Sequence, residues 1–470
     1  MRASALFLPL LLAAAVEADV RLPGLFGEGM VLQRDTKLVL RGWAEAGETV
    51  TVELAGESAT AVAGEEGRWS VTMGPFAASA GLTLAVTGRS RVTVEDVAVG
   101  EVWLCSGQSN MQWPVQASEG GGEVKEPDPR LRLFTVPVQA ADAPATDVQG
   151  RWSSADETSA PGFSAVAYWF GRKLREDLGV PVGLIQSCLG GTPAEAWTSR
   201  DVLASDPLLQ PILASWAAGT AGRNPAHRPA GLFHAMIAPL APYAMRGVLW
   251  YQGESNAARA EQYRVLFPAL IRDWRRTWGR GDFPFLFVQL ANFGKRVPDP
   301  GPSAWAELRE AQRLALELPH TGMAVAIDIG DAADIHPRNK REVARRLHLV
   351  ARDVAYGGEG MICTGPRYWD HEVEENRIVV RLRDGGGGLR ATDGLALRGF
   401  AVAGEDRVWR WAEARIDGFS VVVSHPDVPR PLAVRYAWAD NPDCNLGNSE
   451  GLPASPFRTD DWPLTTAGRN

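Results

Sequence analysis

Apolar positions along this chain follow two different periods, and the switch between them divides it. Between residues 19 and 99 the period is two. Lys37-Leu-Val-Leu-Arg-Gly and Glu48-Thr-Val-Thr-Val-Glu-Leu alternate apolar with polar side chains, and short turns separate such runs. Alternation buries one face of a strand, so several short strands in succession predict a small β-sandwich. From Gly100 the texture changes. Continuous apolar runs at Val102-Trp-Leu-Cys, 182–188, 247–252, 285–290 and 323–327 alternate with segments of helical spacing at 164–178, 259–277, 305–318 and 339–355. Gly179 directly follows the first of these helices, a common stop. Buried strands alternating with helices predict a parallel sheet covered on both faces. The stretch 117–160, rich in Gly, Pro and Ala, reads as a long loop. Period two returns after Cys363, in Arg377-Ile-Val-Val-Arg-Leu and Phe419-Ser-Val-Val-Val-Ser. The expected organisation is therefore a β-sandwich-like domain at 19–99, an α/β domain at 100–360, and a β domain with tail at 361–470.

The opening residues are of another kind. Arg2 precedes an Ala/Leu-rich run from Ala3 to Val16, and Val16-Glu17-Ala18 offers a small-residue cleavage site. This pattern predicts a signal peptide at 1–18 and a secreted or periplasmic protein. The run is shorter than the ~20 residues a membrane span needs. The net charge is −8 with no sustained Lys/Arg block, which disfavours nucleic acid or an anionic membrane as partner. The four Cys (105, 188, 363 and 444) are scattered and form no CxxC, so neither a zinc site nor a disulfide framework is expected. Cys105 and Cys188 end apolar runs and are expected as buried thiols. No metal and no cofactor is expected. The 17 Trp suit a protein that handles sugars, because indole offers a flat apolar face and one donor, although most large aromatics fill cores.

Three polar loops follow predicted strands of the α/β region. The first is Ser106-Gly-Gln-Ser109-Asn110-Met111. Gly107 permits a tight turn and would leave Ser109 exposed, and a Ser hydroxyl becomes a nucleophile when a base takes its proton. The second is Cys188-Leu-Gly190-Gly191-Thr192-Pro193, whose glycines let backbone N–H groups approach an oxyanion. The third is Trp250-Tyr-Gln252-Gly253-Glu254-Ser255-Asn256. Gln252 or Asn256 would supply a further oxyanion donor. Gln108, Asn110 and Glu254 would touch substrate. Of seven His, His336 alone directly follows a predicted strand and an acidic run, Asp328-Ile-Gly-Asp331-Ala-Ala-Asp334-Ile-His336-Pro337. It is the expected base, with Asp334 fixing its tautomer. Nucleophile, base, orienting acid and oxyanion donors together make an acyl-transfer site.

The same stretches carry a resemblance. Gly100-Glu-Val-Trp-Leu-Cys-Ser-Gly-Gln-Ser-Asn-Met, Gly190-Gly-Thr-Pro-Ala-Glu-Ala-Trp, Trp250-Tyr-Gln-Gly-Glu-Ser-Asn and Asp334-Ile-His-Pro resemble the SGNH hydrolases, specifically the sialate O-acetylesterase-like family. Leu25 to Arg34, Tyr436 to Asn441 and Glu450 to Arg458 extend the likeness over nearly the whole mature chain. The resemblance implies a flavodoxin-like three-layer core with N-terminal and C-terminal accessory β domains. It implies an acetylated carbohydrate as substrate and removal of acetyl groups from sialic acids or other sugars. Two departures stand out. Gln108 separates Gly107 from Ser109, where the general pattern reads Gly-Asp-Ser. Ala333, three before His336, stands where that pattern has Asp. The orienting acid is then Asp334, Asp331 or Glu254, with Asp334 preferred. Rival readings are an acetylxylan or other polysaccharide acetylesterase, and a non-catalytic sugar-binding protein. A sialate carboxylate would need a cation, with Arg200, Arg223, Arg228 and Lys295 as candidates.

Overall fold

The computed structural model describes residues 19–124, 126–219, 224–358 and 360–469. The expected signal peptide, 1–18, lies outside the described residues. A largely parallel sheet organises the middle of the chain. Its strands are β1 (Arg91–Gly107), β2 (Asp128–Thr135), β3 (Trp152–Ala155), β4 (Val182–Cys188), β5 (Gly247–Tyr251), β6 (Phe285–Gln289) and β7 (Thr321–Val325). They lie in the order β7-β6-β5-β1-β4-β2-β3, and only the edge strand β3 runs antiparallel to its neighbour.

Both faces are covered, as the apolar runs predict. Register pairs Gly247 with Trp103 and Trp250 with Ser106, so Trp103 and Trp250 point to opposite faces. Trp103 packs on Phe170 of helix α2 (Ala165–Leu178) and on Tyr356 of helix α5 (Lys340–Tyr356). Trp250 packs on Phe267 and Trp274 of helix α3 (Ala260–Trp278), which lies against helix α4 (Ala304–Leu314). Local signals set the ends of α2. The Ser164 side chain accepts from the Ala167 N–H, and Gly179 stops the helix in a left-handed conformation. Helix α1 (Ser109–Gln112) is a single short turn after β1.

Two expectations need correction. The stretch 117–160 is not all loop, because it holds β2 and β3. Leu131, Leu133 and Phe134 are buried, and β2 is stitched to β4 by backbone bonds that the surrounding Gly and Pro do not foretell. The boundary at 99/100 falls inside one strand. The first half of β1 pairs with Ser79–Thr87 and Val31–Gln33, its second half with β4 and β5, and a single 11-stranded sheet results. Gly100 marks the passage, since a Cβ there would lie 1.9 Å from the Pro181 carbonyl oxygen.

The C-terminal β region has its own core. Strands Arg367–Glu374, Arg377–Arg383, Ser420–Ser424 and Glu413–Asp417 form one antiparallel sheet; Arg410–Trp411, Phe400–Ala403, Ala433–Tyr436 and Phe457–Arg458 form another. Ile378, Val380, Val402, Val423, Val434 and Tyr436 are buried together between them. The fully buried Arg309 of α4 ties this region down by donating to the carbonyls of Ala439 and Asp440, and to those of Leu290 and Ala291. All four Cys are free thiols, with Cys105 and Cys188 buried.

Candidate active site

Strand β1 lies between β4 and β5, and the strand order reverses there. Loops leaving the carboxyl ends of strands at such a reversal splay apart and leave a crevice. The three polar loops of the sequence are those loops. Gly107 makes the first turn with φ +135, and a Cβ there would lie 2.1 Å from the Tyr251 carbonyl oxygen. The chain enters α1 two residues later, with Ser109 half-buried at its start.

His336 Nε2 lies 2.9 Å from Ser109 Oγ, although 227 positions separate the two residues. Asp334 Oδ1 sits 3.3 Å from the other ring nitrogen and accepts the His336 backbone N–H at 2.8 Å. Asp331 instead accepts the Ala333 N–H, and Glu254 is bonded to Asn110. Of the three carboxylates weighed, Asp334 is the one at the ring. A carboxylate at Nδ1 holds the proton there and leaves Nε2 to take the hydroxyl proton. Trp113 stacks on the imidazole with ring centroids 5.0 Å apart and planes 14° from parallel. Nothing in the sequence distinguishes Trp113 from the other tryptophans; the fold lays it on the histidine.

Gly190 stands beside Ser109. A Cβ on it would lie 3.2 Å from Ser109 Cβ, and its N–H donates to Gln112 Oε1 at 2.8 Å. An amide oxygen thus already occupies a donor next to Ser109, and Gln112 joins the site unanticipated. Gly191 is left-handed, with open space where a Cβ would be.

Five residues expected to face substrate turn inward. Both Gln252 N–H groups are used, one on Asn256 Oδ1 and one on the Thr192 carbonyl, and Tyr263 donates to its oxygen. Asn256 is 1% exposed; it donates to Glu195 and accepts from the Ala194 N–H. These two side chains join the second and third loops, and Gln252 has no N–H left for an oxyanion. Gln108 Oε1 accepts from the Gly253 and Ser255 N–H groups, which binds the first loop to the third. Asn110 is 2% exposed and donates to Glu254 and to the Ile335 carbonyl. Glu254, the fifth, is likewise directed at Asn110. The reason is common to all five: three adjacent loops full of buried backbone polar groups need internal partners.

Lys340, the first residue of α5, is fully buried and donates to Asn110 Oδ1. Burial pushes its ammonium down from 10.5 to about 7, against the opposing pull of Glu254 and Asp334. Burial pushes the Glu254 carboxyl up, and its Oε2 is buried without a hydrogen-bond partner among the described residues.

A cleft of about 560 Å³ opens beside the second and third loops, lined by Gly191, Glu195, Trp216, His227, Ser255 and Arg259 among others. Arg259 is paired with Glu195 at 2.7 Å. Of the cations considered for a carboxylate, Arg228 is paired with Asp142, Arg200 and Lys295 do not line the cleft, and Arg223 lies outside the described residues. Among the described residues no group of three or more His, Cys, Asp and Glu could hold a metal ion, and no helix is long and apolar enough to cross a membrane.

Comparison with known proteins shows the family. A family described as carbohydrate esterase, sialic acid-specific acetylesterase, matches residues 99–347. The chain belongs to this family. The matched stretch begins inside β1 and runs into α5, so it holds all three loops and His336. Sialate O-acetylesterase of Homo sapiens is 36% identical over 96% of this chain and 95% of its own. That of Rattus norvegicus is 33% identical over 91% and 92%. A crystal structure of a carbohydrate acetylesterase from Xanthomonas citri superposes with a TM-score of 0.87 at 40% identity, covering 94% of this chain and 100% of that one.

Proposed function

We propose that this protein is a serine esterase that removes O-acetyl groups from sugars through an acetyl-serine intermediate. One observation carries the mechanism: the 2.9 Å approach of His336 Nε2 to Ser109 Oγ at the rim of the sheet. Ser109 Oγ attacks the acetyl carbonyl while His336 takes its proton. Backbone N–H groups of Ser109 and Gly190 receive the oxyanion, which replaces the Gln112 oxygen. A donor in such a place is typically worth a factor of ~10²–10³ in turnover. His336 then protonates the departing sugar oxygen, and water releases acetate from the serine by the reverse route.

The strand set β4-β1-β5-β6-β7 has the 2-1-3-4-5 order of flavodoxin-like sheets. We read it as an SGNH core extended by β2 and β3 and flanked by accessory β regions at 19–99 and 361–470. The family and the named relatives support O-acetylated sialic acid as substrate, and the cleft beside Gly191 has room for a sugar ring. Secretion or periplasmic export completes the reading, with a mature chain that begins at Asp19.

Ser109→Ala tests the mechanism. Cleavage of p-nitrophenyl acetate is expected to fall roughly 10⁴-fold or more, with the thermal unfolding midpoint unchanged. A rate near wild type overturns the assignment. Parallel assays on O-acetylated sialic acid and acetylated xylan test the substrate. Faster release from xylan moves the protein to polysaccharides and leaves the mechanism standing.

A further inference from the structure

We propose that Asn110 is a positioning residue whose carboxamide clamps nucleophile and base in register, and that Lys340 and Glu254 hold that carboxamide the right way round. This rests on the reading of Ser109 and His336 given above.

Asn110 follows Ser109 in the chain, and Ile335 precedes His336. The Asn110 side chain donates to the Ile335 carbonyl at 3.0 Å. One buried group therefore spans from the residue beside the nucleophile to the residue beside the base. The loop that carries His336 departs from a different strand, so its position relative to Ser109 depends on cross-links of this kind. Other links exist, such as the Glu119 N–H on the Arg338 carbonyl at 2.9 Å and the Gly330 N–H on Asn292 Oδ1, but the Asn110 link joins residues that directly adjoin both Ser109 and His336.

A carboxamide is nearly symmetric in shape, and its partners decide which end is which. Here every partner agrees. Two acceptors, Glu254 Oε1 at 2.6 Å and Ile335 O, take the two N–H groups. One donor, Lys340 Nζ, takes the oxygen. A flip would set oxygen against two acceptors and an amide against an ammonium, with Asn110 and Lys340 both buried.

The cluster is a poor choice for stability alone. Lys340 is fully buried, between the rings of Trp113 and Tyr251. Glu254 Oε2 and the Tyr251 hydroxyl are buried without hydrogen-bond partners among the described residues. The carboxylates facing Lys340 are those of Glu254 and Asp334. Apolar residues of similar volume commonly replace such pairs without loss of stability. Its place against both halves of the reactive pair supplies another reason to keep it, because a shift of about 1 Å at a reacting pair can cost ~10²-fold in rate.

The test uses the full chain with Asn110→Ala and Lys340→Met. The fraction of protein labelled at Ser109 by a fluorophosphonate counts the folded sites, and p-nitrophenyl acetate turnover is expressed per labelled site. Asn110→Ala is expected to lower kcat per site ~10–100-fold, and Lys340→Met ~3–10-fold, with KM changed less than threefold. A role in folding alone lowers the labelled fraction and the melting temperature and leaves kcat per site as in wild type. A fall of less than threefold in Asn110→Ala overturns the clamp. If that variant does not fold, Lys340→Met decides by the same threshold. A fall in Asn110→Ala alone keeps the clamp and removes Lys340 from it. No ester turnover in the unaltered protein is a separate result, which overturns the active-site reading itself.

Discussion

Two glutamates, the fully buried Glu101 and the half-buried Glu254, sit at opposite ends of the central sheet, and they are treated differently. Glu101, where β1 enters the parallel sheet, has no exposed side-chain surface. Five donors surround it: Arg34 Nε at 2.6 Å, Arg246 Nε at 2.8 Å and Nη2 at 3.0 Å, the Tyr356 hydroxyl at 2.9 Å and Gln33 Nε2 at 3.3 Å. Burial alone would raise its carboxyl, but Arg246 and Arg34 outweigh it and hold the group below the ordinary glutamate value. Glu254, just beyond the carboxyl end of β5, keeps one oxygen without a partner among the described residues, and burial pushes its carboxyl up. The two ends of the sheet thus carry different kinds of polar network. The saturated one joins the N-terminal strands to the parallel sheet. The unsaturated one lies beside Ser109, where Glu254 accepts from the Asn110 amide.

The contrast can be broken most forcefully at Glu101. Glu101→Gln strands two guanidinium groups in a partly buried site and is expected to destabilise by about 3 kcal/mol. Esterase turnover per folded molecule should be unchanged, and urea unfolding beside kcat checks both. A variant of normal stability, or one with slowed turnover, would erase the distinction.

A smaller effect separates the ends by pH. Glu101 has a folded value below its unfolded one, so its stabilisation is present at neutral pH and is lost as pH falls through the acid range. Lys340 titrates at about 7 folded and 10.5 unfolded. Between those values the unfolded chain binds more protons, so stability rises with pH across that window and is lost as pH falls toward 7. Unfolding free energies measured from pH 6 to 10.5 should show this rise, and Lys340→Met should flatten it. A slope that survives the substitution assigns the titration elsewhere.

The smallest effect belongs to Trp113. Trp113→Ala removes the ring stacked on His336 and should lower kcat a few-fold, about 1 kcal/mol, while Trp113→Phe recovers most of it. Equal losses in both variants would point to the indole N–H rather than to stacking.

Much of this site was legible before the fold. Ser109, Gly190 and His336 each follow a strand, because strands of a parallel sheet read as short apolar runs and the polar loops after them stand out. Asp334 is the carboxylate nearest His336 in sequence, and it is the one at the imidazole. The inward turn of Gln108, Asn110, Gln252, Glu254 and Asn256 was not legible. A polar side chain at a strand end serves a loop neighbour as well as it serves a ligand, and composition does not say which neighbour will arrive. Nor did β2 show itself, although Arg130-Leu-Arg-Leu-Phe alternates, because Gly and Pro on either side outweighed five residues of pattern.

By itself, then, the amino-acid order determined what is local: where strands and helices run, which turns need glycine, which side chains have reactive chemistry, and which family the chain joins. Tertiary structure alone decided what depends on residues distant in the chain. It brought His336 to Ser109, laid Trp113 on the imidazole, directed the Gln112 oxygen at Gly190, and buried a lysine against Asn110 and Glu254. Periodicity arises from neighbours a few residues apart, whereas a hydrogen-bond partner is chosen by the packing of whole strands and helices.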